Sequence, residues 1–276
     1  GRRVTGWRQE GAFWVADVPF ASELQDLNTF WVNGKRRQPA RTPNCAHEAG
    51  DFPVDSEFFY TDGAVMEKGA DGKEEKSSTK LRFRASDIQN WPSLKDATVV
   101  VFHSWATSLH RVKNLDEANR VLEFTGPARW CFNYWRPDQW YFVEHLFEAL
   151  DVPGEWFFNR EQSKLYYIPF PDEDMTTADA VVAAPTQLLS VEGKPAEGAF
   201  VSYLTFRGLT FQYATQPVAP GGFSDSQAEA TLPATLQFTG ARHCRIENCT
   251  LKHAGNYGLW FRAGCRDNAL VHSELT

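Results

Sequence analysis

"HCRIENCTLKHAGNYGLWFRAGCRDNALVHSELT", residues 243–276, decides the fold because it nearly repeats itself. "CRIENCTL" begins at Cys244 and "NALVHSEL" at Asn268, an offset of 24 that places Ile246 on Leu270. Upstream, "FVSYLTFRGLTFQY" carries the same texture. Aligning Phe206 with Ile246 places Gly208 on Asn248 and Phe211 on Leu251, an offset of 40. The longer offset is taken up by the Pro/Gly-rich loop "ATQPVAPGGFSDSQAEA", Ala214 to Ala230. Short apolar strands recurring every ~20–30 residues describe stacked layers in which an Ile, Leu or Phe sits on its counterpart one layer away. Asn248 falls at a turn, where an amide can stack into a hydrogen-bonded ladder. The alternative is that these are similar strands of a β-sandwich.

Working outward, the chain has 276 residues, 42% hydrophobic and 23% charged, which suits one large or two ordinary globular domains. Long helical periodicity is scarce, and short strands broken by Gly, Pro, Asn and Asp predict an all-β protein. In "TFWVNGKRRQPAR", Asn33-Gly34 predicts a hairpin, because both turn positions take positive φ. "GEWFFNREQSKLYYIPFP" predicts a second hairpin turning at "NREQSK". "VEHLFEALD" predicts a short helix ending before Pro153-Gly154. "MEKGADGKEEKSSTK", residues 66–80, predicts a charged mobile loop. The expected organisation is a β-rich region over 1–185, itself strand-rich to about 95 and then a compact β domain, followed by stacked strands over 186–276.

The net charge of −7 argues against nucleic acid as a partner. No apolar run approaches a membrane span. The five cysteines show no CxxC spacing and no disulfide framework. Cys244, Cys249 and Cys265 are expected to be small buried residues of the repeat. No metal is expected, and without a phosphate loop or dinucleotide fingerprint no cofactor is expected either. Aromatic residues make up 14%, with ten Trp, more than a core alone needs, so some should line a surface or cleft.

"FWVNGKRRQPARTPN", "VVVFHSWATSLHRV", "FEALDVPGEWFFNREQSKLYYIP", "VSYLTFRGLTFQYA" and "GARHCRIENCTLKHAGNYGLWFRAGCRDNALV" together resemble right-handed parallel β-helix glycoside hydrolases of the family 141 type. The resemblance covers nearly the whole chain in order and spacing, though none of its motifs is catalytic. It implies a right-handed parallel β-helix, present here as its first rungs, with an inserted β-rich domain. It also implies a secreted bacterial enzyme, extracellular or periplasmic, acting on a poly- or oligosaccharide of plant or algal origin. In that family two acidic catalytic residues lie on later rungs, which places the catalytic pair outside this chain. The 276 residues then read as a fragment whose partners include the remaining β-helix rungs, inactive in isolation and open at its end. Two other functions fit the same pattern: a non-catalytic carbohydrate-binding β-helix module, and a structural β-solenoid.

Glycoside hydrolysis ordinarily uses two carboxyl groups, and sugar sites add flat aromatic faces that match pyranose C–H surfaces. Asp225 and Gln227, in the long loop, are candidates to bind sugar hydroxyls; an Asp there can instead cap its own turn. In "KHAGNYGLWF", Tyr257 and Trp260 are candidates for stacking and His253 for proton transfer, with Trp260 alternatively in the core. His103, Trp105 and Arg111 are candidates for a cleft wall, with Trp105 alternatively packed between domains. Glu144 and Glu148 share a face of the expected helix, which reads more simply as amphipathic. Trp130, Trp135 and Trp140 form either a sugar platform or a core.

Overall fold

The computed structural model describes residues 1–24, 26–45 and 53–276. The protein is all-β: its helical segments are single 3-10 turns, such as Phe147–Ala149. Three bodies share the chain.

The first is an eight-stranded sheet in the order Arg2–Arg3, Ala180–Val182, Phe30–Val32, Lys35–Pro39, Glu155–Asn159, Lys164–Tyr167, Phe13–Asp17, Arg8–Glu10. Its pairings are antiparallel except for Lys35–Pro39 against Glu155–Asn159. Asn33 and Gly34 take φ of 52° and 74° and close the expected hairpin. The "NREQSK" hairpin also forms, pairing Trp156 with Tyr167 and Asn159 with Lys164. Phe30, Trp156, Leu165 and Tyr167 fill the core on one face.

The second body is a closed six-stranded antiparallel barrel. Phe59–Lys68, Glu74–Phe83, Val121–Phe124, Thr107–Asp116, Thr98–Phe102 and Trp140–Glu144 pair in that order, and the last returns to the first. Closure leaves no long free edge. Leu81, Val99, Leu122, Phe132 and Tyr141 occupy its interior. The barrel interrupts the first sheet between Pro39 and Glu155, so the two are nested and do not follow one another along the chain.

Two local expectations need correction. Residues 66–80 are not a loop: Met66 pairs with Lys76 and Lys68 with Glu74, and only the tip around Gly69–Lys73 turns. Alternating charge on a two-stranded ribbon presents the same composition as a solvated loop. "VEHLFEALD" forms only the single 3-10 turn Phe147–Ala149: Val143 and Glu144 end a barrel strand, and His145 takes φ of 58°, which a right-handed helix cannot contain.

The third body is a stack of short parallel ladders. Leu189–Glu192 lies on Leu236–Thr239 and that on Leu259–Phe261; Thr205–Arg207 lies on Arg245–Glu247 and that on Ala269–Val271. Thr210–Gln212, Thr250–Lys252 and Glu274–Leu275 form a further ladder. The registers match the sequence alignment: Phe206 meets Ile246, Ile246 meets Leu270, and Phe211 meets Leu251. The corners repeat as well. Positive φ recurs at Tyr203, His243 and Asp267, and again at Gly208, Asn248 and His272. The φ of 51° at Asn248 is the residue's contribution; the stacking amide is Asn268, which accepts from the Cys244 N–H at 2.9 Å and donates to the Ala241 carbonyl at 2.8 Å. Corner rings also stack, His243 on Tyr203 at 5.0 Å and His253 on Tyr213 at 4.7 Å. Phe238, Ile246, Leu251, Cys244 and Cys249 are buried inside, with Cys265 partly buried against them.

Between its first and second layers the stack emits the loop 213–235. The loop lies on the barrel. Phe223–Ser224 adds a strand to Thr107–Asp116. The Thr125 hydroxyl donates to the Pro220 carbonyl at 2.6 Å, and the Arg129 N–H donates to Ser224 Oγ at 2.8 Å. A Cβ on Gly255 would stand 2.4 Å from the Thr215 backbone, so only glycine lets the corner approach the loop's root.

Candidate functional site

The loop brings the three bodies to one place. There a cavity of about 580 Å³ opens between Asn28, Arg36 and Pro39 of the first sheet, Leu109 and Glu144 of the barrel, and the loop and corner of the stack. From the loop come Gln216, Val218, Phe223, Glu229 and Leu232; from the corner come Ala254 to Tyr257. The lining therefore mixes two carboxyls, a guanidinium and three amides with two aromatic rings and aliphatic side chains.

Each polar group has a local reason for its position. Asn28 precedes the strand Phe30–Val32 and is held by Thr215, whose hydroxyl donates to its side-chain oxygen, and by the Gln216 carbonyl, which accepts from its amide. Arg36 crosses the buried Trp31 ring, 5.9 Å from its centroid. Glu144 ends the strand Trp140–Glu144, opposite Thr98 on one side and Arg41 on the other. Burial holds its carboxyl up at about 7 against the opposing pull of the Arg36, Arg41 and Arg111 charges. The acid therefore keeps much of its proton near neutral pH.

This has a consequence for stability. A carboxyl whose folded pKa is raised stabilises fully below its unfolded value of about 4.3, and the contribution is lost as pH rises through about 7. Glu144→Gln removes the ionisation. Its melting temperature is expected to fall less than that of the wild type between about pH 5 and pH 8. Equal falls in paired thermal melts would show that Glu144 does not ionise in this window.

Two further cavities continue the first. One of about 430 Å³ shares Glu229 and Tyr257 with it and adds Phe102, His103, Ser104, Trp105, Ala106, Thr107 and Ala228. Another of about 330 Å³ shares Phe102, His103 and Ser104 and runs on to Trp135, Arg136, Asp138, Gln139 and Trp140. The result is a single groove along the barrel's rim, opening into the junction cavity.

The expected residues fall in three groups. His103, Trp105 and Tyr257 line the groove. His103 does so as a fixed wall: Nε2 meets Ser108 Oγ at 2.8 Å, Nδ1 meets the Gln139 amide at 3.2 Å, and burial lowers its pKa to about 4. Trp105 is exposed and donates its indole N–H to the Ser226 carbonyl at 3.0 Å.

Arg111 and Asp225 serve the scaffold. Arg111 pairs with Asp26 at 2.7 Å and reaches Thr98 Oγ1 at 2.9 Å. Asp225 is buried and accepts from the backbone N–H groups of Ser226 and Thr231, each at 2.7 Å. Burial acts to raise its pKa, but these hydrogen bonds outweigh it and the pKa is lowered, so Asp225 ties its own loop.

Gln227, His253 and Trp260 lie outside the cavity linings. Gln227 is exposed on the loop. His253 is wedged between Tyr213 and Trp31, with its pKa lowered by burial and by Lys252. Trp260 faces away from the stack interior that takes Leu259 and Phe261, and Arg262 covers its ring at 4.6 Å. Of the two acids assigned to the expected helix, Glu144 enters the cavity, while Glu148 bonds the Ser93 hydroxyl elsewhere. Among the described residues no group of three or more His, Cys, Asp or Glu could hold a metal ion, and no helix is long and apolar enough to cross a membrane.

Sequence reasoning passed over Asn28, Gln216, Glu229 and Asn256. Each lies in a loop or at a strand end with no motif around it; only their shared proximity to long-range contacts marks them.

The architecture has a solved counterpart. A chain described as "Glycoside hydrolase" superposes with a TM-score of 0.68 over 94% of this chain at 22% identity. The superposition takes in 48% of that chain, so this protein spans about half the length of its counterpart. At this identity the likeness is one of fold. No family model matches the sequence, and no curated protein sequence does either.

Proposed function

We propose that the groove binds a glycan and that the chain is the carbohydrate-binding part of a polysaccharide-degrading glycoside hydrolase with a right-handed parallel β-helix. The observation that carries the reading is the lining of the junction cavity. Hydroxyl groups need donors and acceptors at close spacing, which Asn28, Arg36, Glu144, Gln216 and Asn256 supply, while the C–H face of a sugar needs a flat apolar surface, which Tyr257 supplies. The name of the solved counterpart supports the same class of ligand. On this reading residues 1–185 form the inserted β domain and 186–276 the first rungs. The catalytic pair belongs to rungs outside these residues, and the parent is a secreted bacterial protein, since polymeric glycans are met outside the cell.

The test is a calorimetric screen of the 276-residue chain against xylan, pectin and fucosylated glycan fragments. Binding is expected for at least one class. Tyr257→Ala is expected to weaken it by about tenfold, the loss of ~1.4 kcal/mol of ring contact. No binding at millimolar concentration to any glycan overturns the proposal and leaves a structural solenoid.

One observation favours a second reading. Glu144, with its carboxyl held up at about 7, and the exposed Glu229 line the same cavity, and hydrolysis uses two carboxyl groups, one of which gives a proton to the leaving oxygen. Glu144 would protonate the leaving oxygen while Glu229 attacks the sugar or activates water. Glycan turnover by the chain alone, abolished in both Glu144→Gln and Glu229→Gln, would select this reading over binding alone.

A further inference from the structure

The aromatic half of the groove lies outside the barrel core. The barrel core is complete without Trp105, Tyr134, Trp135 and Trp140. These rings keep 51%, 51%, 39% and 37% of their surface exposed, a concentration of apolar area that folded proteins ordinarily avoid unless it meets something. They are also held in fixed orientations. The indole N–H groups of Trp105 and Trp130 both donate to the Ser226 carbonyl, at 3.0 and 2.9 Å. Trp135 packs at 4.4 Å from both Trp105 and Tyr134, and Trp140 stacks on the buried Phe58 ring at 5.1 Å. With those N–H groups already engaged, Trp105 has only ring surface left to offer.

From this geometry we infer that the shelf of Trp105, Trp135 and Trp140 binds successive units of a sugar chain whose end occupies the junction cavity, so that the groove recognises an oligosaccharide and not a single sugar. The inference rests on the glycan reading and extends it to chain length. Three features support a sugar chain as the occupant. The shelf is continuous with the polar cavity through Glu229, Tyr257, Phe102, His103 and Ser104. Trp135 and Trp140 share their cavity with Ser104, Arg136 and Asp138, which sets hydrogen-bonding groups among the apolar faces. A sugar chain presents a like mixture of C–H faces and hydroxyls at every unit, whereas a protein interface concentrates its apolar contact in one central patch.

The test measures Kd by calorimetry for xylo-, cello- and galacturono-oligosaccharides of one to six units, on wild type, Trp135→Ala and Trp105→Phe. In whichever series binds, affinity is expected to rise at least about tenfold from the monosaccharide to the tetrasaccharide, or ~1.4 kcal/mol. Trp135→Ala is expected to remove most of that gain. Trp105→Phe keeps a ring but loses the Ser226 hydrogen bond, and is expected to reduce the gain in part. Affinity that is independent of length, or a length dependence that both variants retain, overturns the shelf while leaving the cavity reading intact. Failure of every sugar of every length overturns both. Concentration-dependent dimerisation that Trp135→Ala abolishes overturns the inference in favour of a protein contact. Circular dichroism of each variant confirms the fold before binding is compared.

Discussion

Asp26→Asn is expected to lower the melting temperature at neutral pH by roughly 10 °C, from the ~3 kcal/mol that follows removal of one partner from a buried ion pair. Asp26 is almost wholly buried, and its two oxygens each accept from a guanidinium at 2.7 Å, Oδ1 from Arg160 and Oδ2 from Arg111. Arg160 belongs to the first sheet's hairpin turn and Arg111 to a barrel strand, and the Val218 N–H of the stack's loop reaches the same carboxylate at 3.4 Å. One acid therefore ties three bodies together. Asparagine keeps the shape but leaves two partly buried cations without a counter-charge.

The pH dependence has a definite sign. Burial acts to raise the Asp26 pKa, but the charges of Arg111 and Arg160 outweigh it and hold it below its ordinary value. A depressed acid contributes its stability above the unfolded pKa of about 3.9 and loses it as pH falls through the folded value. The gap between wild type and Asp26→Asn should therefore be widest near neutrality and close in strong acid. Calorimetry across that range measures it, and a gap that widens in acid would contradict the assignment.

Phe238→Ala is expected to destabilise the stack by about 3–5 kcal/mol, the usual loss for a buried aromatic truncated to a methyl group. Phe238 is fully buried in the middle layer, between Val191 above and Phe261 below, with Phe206 6.1 Å away. Stacked layers hold one another only through their neighbours, so a void in the middle layer weakens both contacts. Hydrogen exchange is the discriminating measurement. Amides of Leu236–Thr239 and Leu259–Phe261 should exchange more than about a hundredfold faster, while barrel amides such as those of Thr98–Phe102 keep their protection. Uniform acceleration over the whole chain would mean that the stack and the barrel unfold as one unit.

How much of this was legible in the sequence depended on the range of the interaction. The Asn33-Gly34 hairpin is a two-residue event and could be read directly. The ladder registers could be read because stacking repeats, so that Ile246 between Phe206 and Leu270 is one signal seen three times. The nesting of the barrel within the first sheet was not legible, since the parallel pairing of Trp156 with Pro39 joins residues with no common pattern. Glu144 was misplaced for a local reason: its spacing from Glu148 fits a helix, and only the left-handed backbone at His145 breaks that continuity. Trp105 and Trp130 were visible as aromatic residues, but the Ser226 carbonyl that fixes both lies far along the chain.

The loop 213–235 leaves the stack after Thr210–Gln212 and rejoins it at Leu236–Thr239, and the ladders on either side are in register without it. Its length and its sequence are thus uncoupled from the alignment of the layers. The loop-borne groups in the groove, Gln216, Phe223, Glu229 and Leu232 among them, ride on a segment that the barrel clasps at Pro220, at Phe223–Ser224 and at Ser226. Such a segment behaves as an exchangeable cartridge. A combinatorial library over the positions between those clasps can rewrite what the protein recognises while the load of folding stays with the ladders and the barrel.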